Sequence, residues 1–435
     1  MFLYNLRYKW GIQKKVALPG VVFNASGKDS YSMRSSLPLD DYDGLSLFDP
    51  QIYLSGLELS KSEKTWSRLA SYPFFPFDVP EFRDCGLSKK AWMRQLIESV
   101  RIQWPASLPI DDIPIREMIR SAINFQVELG VSRIILPVPL ISEIDTPLEQ
   151  TMRWVDIGHK EFLALLDRTG NNYPLPLITL AISERLIQNQ PPAENNFLQG
   201  IIDHVSSREE ISGIYLVIEK NTNISGRITN PYAAWSLFHM AHVFGVLCGK
   251  DVFVNFAEQL GLFALAAGAK GFASGYETKT RRCCLSDYVE RGGGQALPKF
   301  YSLSTLCEYL PKRDLLDKIV PARLMHIFNS DKQPASKDLF LALNKNIVPG
   351  NWRETRQNVL AANIHFIQRI TGAVNELNSL TNQNEKIDLA LNWLQIAERN
   401  NNYLSLRFQD RPLSDQGIHI EAWRQAFENY IDEFK

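Results

Sequence analysis

The chain has 435 residues, more than the roughly 250–300 that one hydrophobic core normally supports, so a large and a smaller part are expected. Hydrophobic residues at 45% and charged residues at 22% are a globular composition, which excludes disorder, collagen and long coiled coils. Basic and acidic residues number 47 and 48, so affinity for nucleic acid or anionic lipid has to come from a local patch.

The 5 cysteines, with Cys283 and Cys284 adjacent, match neither a CxxC metal pattern nor a secreted disulfide framework, which points to a reducing compartment. The segment MFLYNLRYKWGIQKK at 1–15 is aromatic and basic but lacks a continuous apolar stretch and a small-residue cleavage site. No window reaches the ~18 uninterrupted apolar residues of a membrane span. The expectation is a cytoplasmic protein with no membrane partner.

In chain order, VALPGVVFNASGKD at 16–29 reads as a strand entering a loop, and LSLFDPQIYL at 45–54 as a second strand. A stretch rich in Ser, Asp and Pro separates them, so this N-terminal part is expected to be irregular. SYPFFPFDVPEF at 71–82 is dense in Pro and Phe, and its aromatics, with those of the N-terminus, offer either a partner surface or a lid. A helix is expected from about Leu87 to Val100.

From Pro114 the pattern is regular. A helix at 115–130 ends at Gly130, and SRIILPVPL at 132–140 reads as a buried strand. Helices about 147–166, 194–205, 232–247 and 259–267 then alternate with strands 176–183, 211–219, 251–256 and 270–275. Strands joined by crossovers of this length require a parallel sheet. The fold class is therefore α/β: a TIM-barrel-like parallel (β/α) barrel, irregular toward its N-terminal end and with its closure open. Lys299–Leu303 offers a last strand. No strand is expected from Ser304 onward, where helices about 352–380, 385–399 and 420–434 form an α-helical C-terminal region. The expected division is 1–303 and 304–435.

In such folds ligands lie at the carboxyl ends of the strands. Residues there are Asn24, Ser26, Lys28 and Asp29; Asp49 and Gln51; Glu143 and Asp145; Ser183, Glu184 and Arg185; Glu219, Lys220 and Asn221; Asn255, Glu258 and Gln259; and Tyr276, Glu277, Lys279, Arg281 and Arg282. Polar residues also belong wherever strand ends meet water. Glu219 stands out because it ends the most hydrophobic strand, where desolvation raises a carboxyl toward the range of a general base. Asn255, Glu258 and Glu143 complete a candidate catalytic set, with Asn255 as the orienting amide.

Lys279, Arg281 and Arg282, with Tyr276, Asn24 and Lys28, form a candidate ligand-binding set. The two arginines have the forks for phosphate or carboxylate, although a solvated loop or ion pairs with Glu277 or Glu219 explain them equally well. The glycine run at 291–295 lacks P-loop spacing. His239 and His242, three apart on one helix, have no further metal partner, and no metal is expected. No GxSxG, GxGxxG or Ser/His/Asp set appears, so no cofactor is named.

The segment FVNFAEQLGLFALAAGAKGFASG at 253–275 resembles the final quarter of many TIM barrels, where a strand, a short helix ending in small residues and a last strand ending in Gly build a phosphate-binding loop. Gly275 stands in a matching place. Asn255-Phe256-Ala257-Glu258 replaces the family's glycine-rich turn, so the standard phosphate cradle is not implied.

Two functions fit. One is an enzyme or binding protein for a phosphate-bearing small molecule, a nucleotide-like ligand or nucleic acid, with Glu219 as base and the arginines as anion clamp. The other is a non-catalytic component of an assembly, docking a protein partner or a second copy through its helical region. Fold alone does not decide between them.

Overall fold

The computed structural model describes residues 1–6, 12–35, 42–75, 77, 81–103, 108–142, 148–170, 173–220, 227–290 and 297–435. Within them nine strands form one all-parallel sheet: β1 Phe2–Leu6, β2 Gly20–Asn24, β3 Leu45–Asp49, β4 Ile135–Leu136, β5 Leu140–Ile141, β6 Leu177–Ser183, β7 Gly213–Glu219, β8 Asp251–Asn255 and β9 Gly271–Ser274. Their order is β3-β2-β1-β9-β8-β7-β6-β4, and β5 also pairs with β6. β4 and β5 are two pieces of one position, because Ile135 lies opposite Leu177 and Leu140 opposite Ala181. Between them Pro137 and Pro139 have no N–H to give the ladder.

The sheet is thus a nearly closed eight-position barrel. The remaining seam, between β3 and β4, is pinned by Ser46 and Ser132. The Ser132 amide donates to the Ser46 carbonyl at 2.9 Å, and the Ser46 amide to Ser132 Oγ at 3.0 Å.

The N-terminal part is more regular than its sequence suggests, since it contributes three barrel strands. The segment Phe2–Leu6 is a central strand, paired with β2 through Tyr4↔Val21 and with β9 through Phe2↔Phe272. All five of its residues are buried, as a parallel strand covered on both faces requires. Of the aromatics at 71–82, Tyr72, Phe74 and Phe75 are core, and Phe77 and Phe82 are partly buried against it. Phe48, Tyr72 and Phe125 form a ring cluster with centroids 5.1–5.6 Å apart, and Phe74 and Phe75 are buried beside it. The expected last strand at 299–303 lies outside the barrel. It is β10 (Phe300–Ser302), antiparallel to β11 (Cys307–Tyr309), and β11 falls in the part expected to be all-helical.

The helices are α1 Ser30–Ser35, α2 Glu63–Leu69, α3 Lys89–Gln103, α4 Asp112–Glu128, α5 Leu148–Thr169, α6 Asn196–Ser206, α7 Pro231–His242, α8 Leu260–Ala266, α9 Thr278–Arg281, α10 Lys337–Leu343, α11 Val359–Ser379, α12 Gln383–Arg407 and α13 Ile420–Phe434. Local chemistry sets their ends. Asn195 caps α6 through the Leu198 amide, Asn230 caps α7 through the Ala233 amide with Pro231 in the first turn, and Gly130 follows α4 at φ +68°. Asn195→Ala is expected to lower stability by about 1 kcal/mol, as read by urea unfolding.

The C-terminal helices pack on the barrel wall. α13 lies on α7, where Phe238 meets Phe427 at 5.3 Å and the buried Trp423 donates to the Ile228 carbonyl at 2.7 Å. α11 lies on β1, where Tyr4 donates to Asn363 at 2.9 Å. Among the described residues, no helix is long and apolar enough to cross a membrane. All 5 cysteines are free thiols.

Candidate functional site

The two ends of the barrel differ in chemistry. At the amino end Arg133 donates to Asp251 at 2.7 Å and Lys270 reaches the same carboxylate at 2.8 Å, a paired cluster that fastens strand starts. At the carboxyl end the inward-facing side chains are carboxylates, amides and phenols. Strands that are not neighbours meet there only through the lumen.

Asp49, at the end of β3, is the centre of this set. Its Oδ2 accepts from Tyr53 Oη at 2.5 Å, Asn255 Nδ2 at 3.0 Å and Tyr215 Oη at 3.1 Å, and its Oδ1 accepts from the Gln51 amide at 3.0 Å. Burial pushes the Asp49 carboxyl up to about 6, against these four donors, which favour the ionised form. The chain of contacts continues from Asn255, whose Oδ1 accepts from Asn5 Nδ2 at 2.7 Å. Asn24 donates weakly to Asn5 Oδ1 at 3.5 Å. Three strand ends, β1, β2 and β8, therefore converge on the carboxylate of a fourth.

Glu219 ends β7 and accepts from Ser183 Oγ at 2.8 Å. Burial raises its carboxyl above the usual range, and hydrogen bonds from Ser183 and the Leu285 amide pull it back. The chain after β9 passes over this strand end: Glu219 forms a parallel bridge with Cys283, and the Lys220 amide donates to the Cys283 carbonyl at 2.8 Å. Farther along, the Glu290 amide donates to the Lys61 carbonyl at 2.6 Å, and the Glu290 carboxylate accepts from the Lys64 amide. Residues 282–290 therefore form a strap from β9 to α2. Cys283 is fully buried, and burial, with Glu219 and Asp49 near, keeps it a thiol.

The backbone around the centre is unusual. Of the non-glycine residues at positive φ, Gln51 (55°), Phe256 (54°) and Glu258 (52°) all follow the ends of β3 and β8. Such conformations cost about 1–3 kcal/mol each and cluster at functional sites.

The expected residues fall into three groups. Asn24, Glu219 and Asn255 are brought to the mouth. Glu258 is buried beside it and held by ion pairs, with Lys220 at one oxygen and Arg227 Nε 3.5 Å from the other. Glu143 lies outside the described residues, as do Asp145, Asn221 and the glycine run at 291–295.

The basic segment turns to other work. Arg281 pairs with Glu308 and donates to the Tyr276 carbonyl at 2.8 Å. Arg282 forks onto Asp287 at 2.6 and 2.9 Å. These are ion pairs, with partners other than Glu277 and Glu219. Lys279 lies over the Tyr288 ring at 5.3 Å. Tyr276 points away from the mouth, donating to the Leu297 carbonyl at 3.0 Å. Lys28 stands at the edge, and burial lowers its ammonium below the usual value.

A second buried network joins the mouth to the C-terminal helices. Arg227 donates to Asp415 at 2.7 Å, and Glu308 receives Lys299 at 2.9 Å as well as Arg281. Burial disfavours ionised Glu308, but Arg281, Lys299 and Arg227 outweigh it and hold the carboxyl well below its usual range. Burial, with Arg227 beside it, keeps His419 neutral.

Sequence reasoning placed Asp49 and Ser183 at strand ends without singling them out, and gave no role to Asn5, Tyr53, Tyr215 or Cys283. The readable signal was the period of two on β7, which puts Tyr215 and Glu219 on one face. His239 and His242 serve packing, 2.9 Å from Glu433 and 3.0 Å from Tyr430 respectively. Among the described residues no group of three His, Cys, Asp or Glu is arranged to hold a metal.

In comparisons with family models, curated proteins and solved structures, nothing matches the chain.

Proposed function

We propose that this protein binds a small molecule at the carboxyl mouth of its barrel and acts on it by proton transfer at Asp49 and Glu219. The observation that carries this reading is Asp49, a carboxylate that burial pushes up to about 6, gripped by Tyr53 from the turn after its own strand and by Tyr215 and Asn255 from across the lumen. A group poised close to neutral pH serves as base and then as acid. Asn255, bonded to both Asp49 and Asn5, is the orienting amide. The strained Gln51, Phe256 and Glu258 support a preorganised site rather than a merely satisfied core. A phosphate-bearing, nucleotide-like or nucleic-acid ligand would rest on the Lys279–Arg282 segment, whose arginines are engaged by Glu308 and Asp287.

The test is consumption of small molecules from a cell extract, followed by mass spectrometry, with wild type, Asp49→Asn and Glu219→Gln. Each substitution is expected to slow the reaction by about 100- to 10,000-fold. Equal turnover by all three proteins would sink the reading.

One observation favours a non-catalytic, partner-docking role instead. Tyr403 and Leu406 of α12 and Ile418 of the following loop are exposed apolar side chains, and Ile418 helps to line a cleft of about 270 Å³. A wild type that consumes nothing would turn the argument to that face.

A further inference from the structure

We infer that the ligand of the barrel mouth is an uncharged polyol, of the chemical class of a free sugar, and that phosphate is excluded from the centre. This rests on the mouth being the ligand site.

The first ground is the state of the cations. Four basic residues beside the strand ends, Arg281, Arg282, Lys220 and Arg227, face Glu308, Asp287, Glu258 and Asp415. To clamp a phosphate, Arg281 would have to give up the buried Glu308 and Arg282 the half-buried Asp287. Among the described residues, Asp49 and Glu219 are buried carboxylates at this mouth, and in a poorly screened interior they repel an anion strongly.

The second ground is the pair of polar atoms left over. Gln51 Nε2 and Asn24 Oδ1 are buried and have no hydrogen-bond partner among the described residues, although their side chains are only 1% and 3% exposed. They stand at the ends of neighbouring strands, since Asn24 lies opposite Asp49 in the β2–β3 ladder. Gln51 is fixed by its other amide atom, which accepts from the Ser26 amide at 2.7 Å. The site thus offers one spare donor and one spare acceptor beside a carboxylate. The amide orientations follow from their neighbours: a turned Gln51 would set Nε2 against the Ser26 N–H, and a turned Asn24 would set its oxygen against Asn5 Oδ1. A hydroxyl group both gives and takes a hydrogen bond, and adjacent hydroxyls do so at spaced positions. A phosphate oxygen at neutral pH chiefly accepts.

The experiment is thermal unfolding of the full chain with matched probes: glucose, ribose and adenosine against glucose 6-phosphate, ribose 5-phosphate and AMP. At about ten times the dissociation constant, a neutral member is expected to raise the melting temperature by about 1–2 °C while its phosphorylated counterpart does not. The shift should vanish in Asn24→Ala and in Gln51→Ala, whose own melting temperatures report that they fold. A shift with the phosphorylated members alone, lost in Asp49→Asn, would overturn the polyol inference and leave the mouth as the site. A neutral shift that survives both amide substitutions would place binding elsewhere and overturn the inference. No shift with any probe would count against both.

Discussion

Glu308→Gln is expected to lower stability by about 3–5 kcal/mol, the effect of deleting one partner from a buried ion network. Glu308 is 5% exposed and faces Arg281, Lys299 and, more distantly, Arg227. Lys299 is half exposed and can swing its ammonium to water. Arg281 cannot, because two of its nitrogens are tied to the Gly275 and Tyr276 carbonyls. The uncompensated guanidinium is the source of the loss.

The sign with pH follows from the depressed carboxyl. Its contribution is present above the unfolded value of 4.5 and disappears as pH falls toward the lower folded value, so wild type and variant converge in acid. Urea unfolding at pH 7 and pH 3 reads both. A loss at pH 7 below about 1 kcal/mol would place Glu308 among weak surface pairs. Pairing the change with Arg281→Gln should recover part of the stability.

Asp49→Asn is expected to show the opposite pH dependence. The folded carboxyl sits near 6 against 3.8 in a free chain, so the proton is held longer in the fold than in the unfolded state. The stability that Asp49 adds is therefore complete below pH 3.8 and lost as pH rises through 6. The difference corresponds to roughly 3 kcal/mol. Asparagine keeps the shape but not the titration. Its own hydrogen-bond mismatch, an amide N–H facing the Gln51 amide, is the same at every pH. The deficit of the variant relative to wild type should thus shrink by roughly 3 kcal/mol between pH 4 and pH 7. A deficit that does not change with pH would mean that Asp49 titrates as an ordinary surface carboxylate.

Much of the barrel was legible because its later strands alternate with helices at regular spacing, and each buried apolar run marks one strand. The N-terminal strand was not. Phe2–Leu6 is buried on both faces, so it carries no alternation, and the basic residues after it suggest a surface segment. Lys299–Leu303 has strand chemistry but antiparallel company, and β propensity does not say which sheet a strand joins.

The site was half legible for a related reason. Glu219 and Asn255 could be located from the ends of their own strands. That Tyr215 and Asn255 both reach Asp49 depends on which strands face one another across the lumen, and this is fixed only when the barrel closes. The arginines of the 281–282 segment show the converse. Their forks were readable, but their partners Glu308 and Asp287 were not among those expected.

The pairing of β1 with β9 also sets an order of events in synthesis. Phe2 and Phe272 are 272 − 2 = 270 residues apart in the chain and adjacent in the sheet. At roughly 5–20 residues per second, a ribosome delivers the second partner roughly 15–55 s after the first. By then β2 and β3 have emerged and can complete a three-stranded parallel ribbon, whose β1 edge still lacks a neighbour. Unpaired edges of this kind recruit strands from other chains. The β1 edge that waits for β9 is therefore where a nascent chain is most open to a wrong partner.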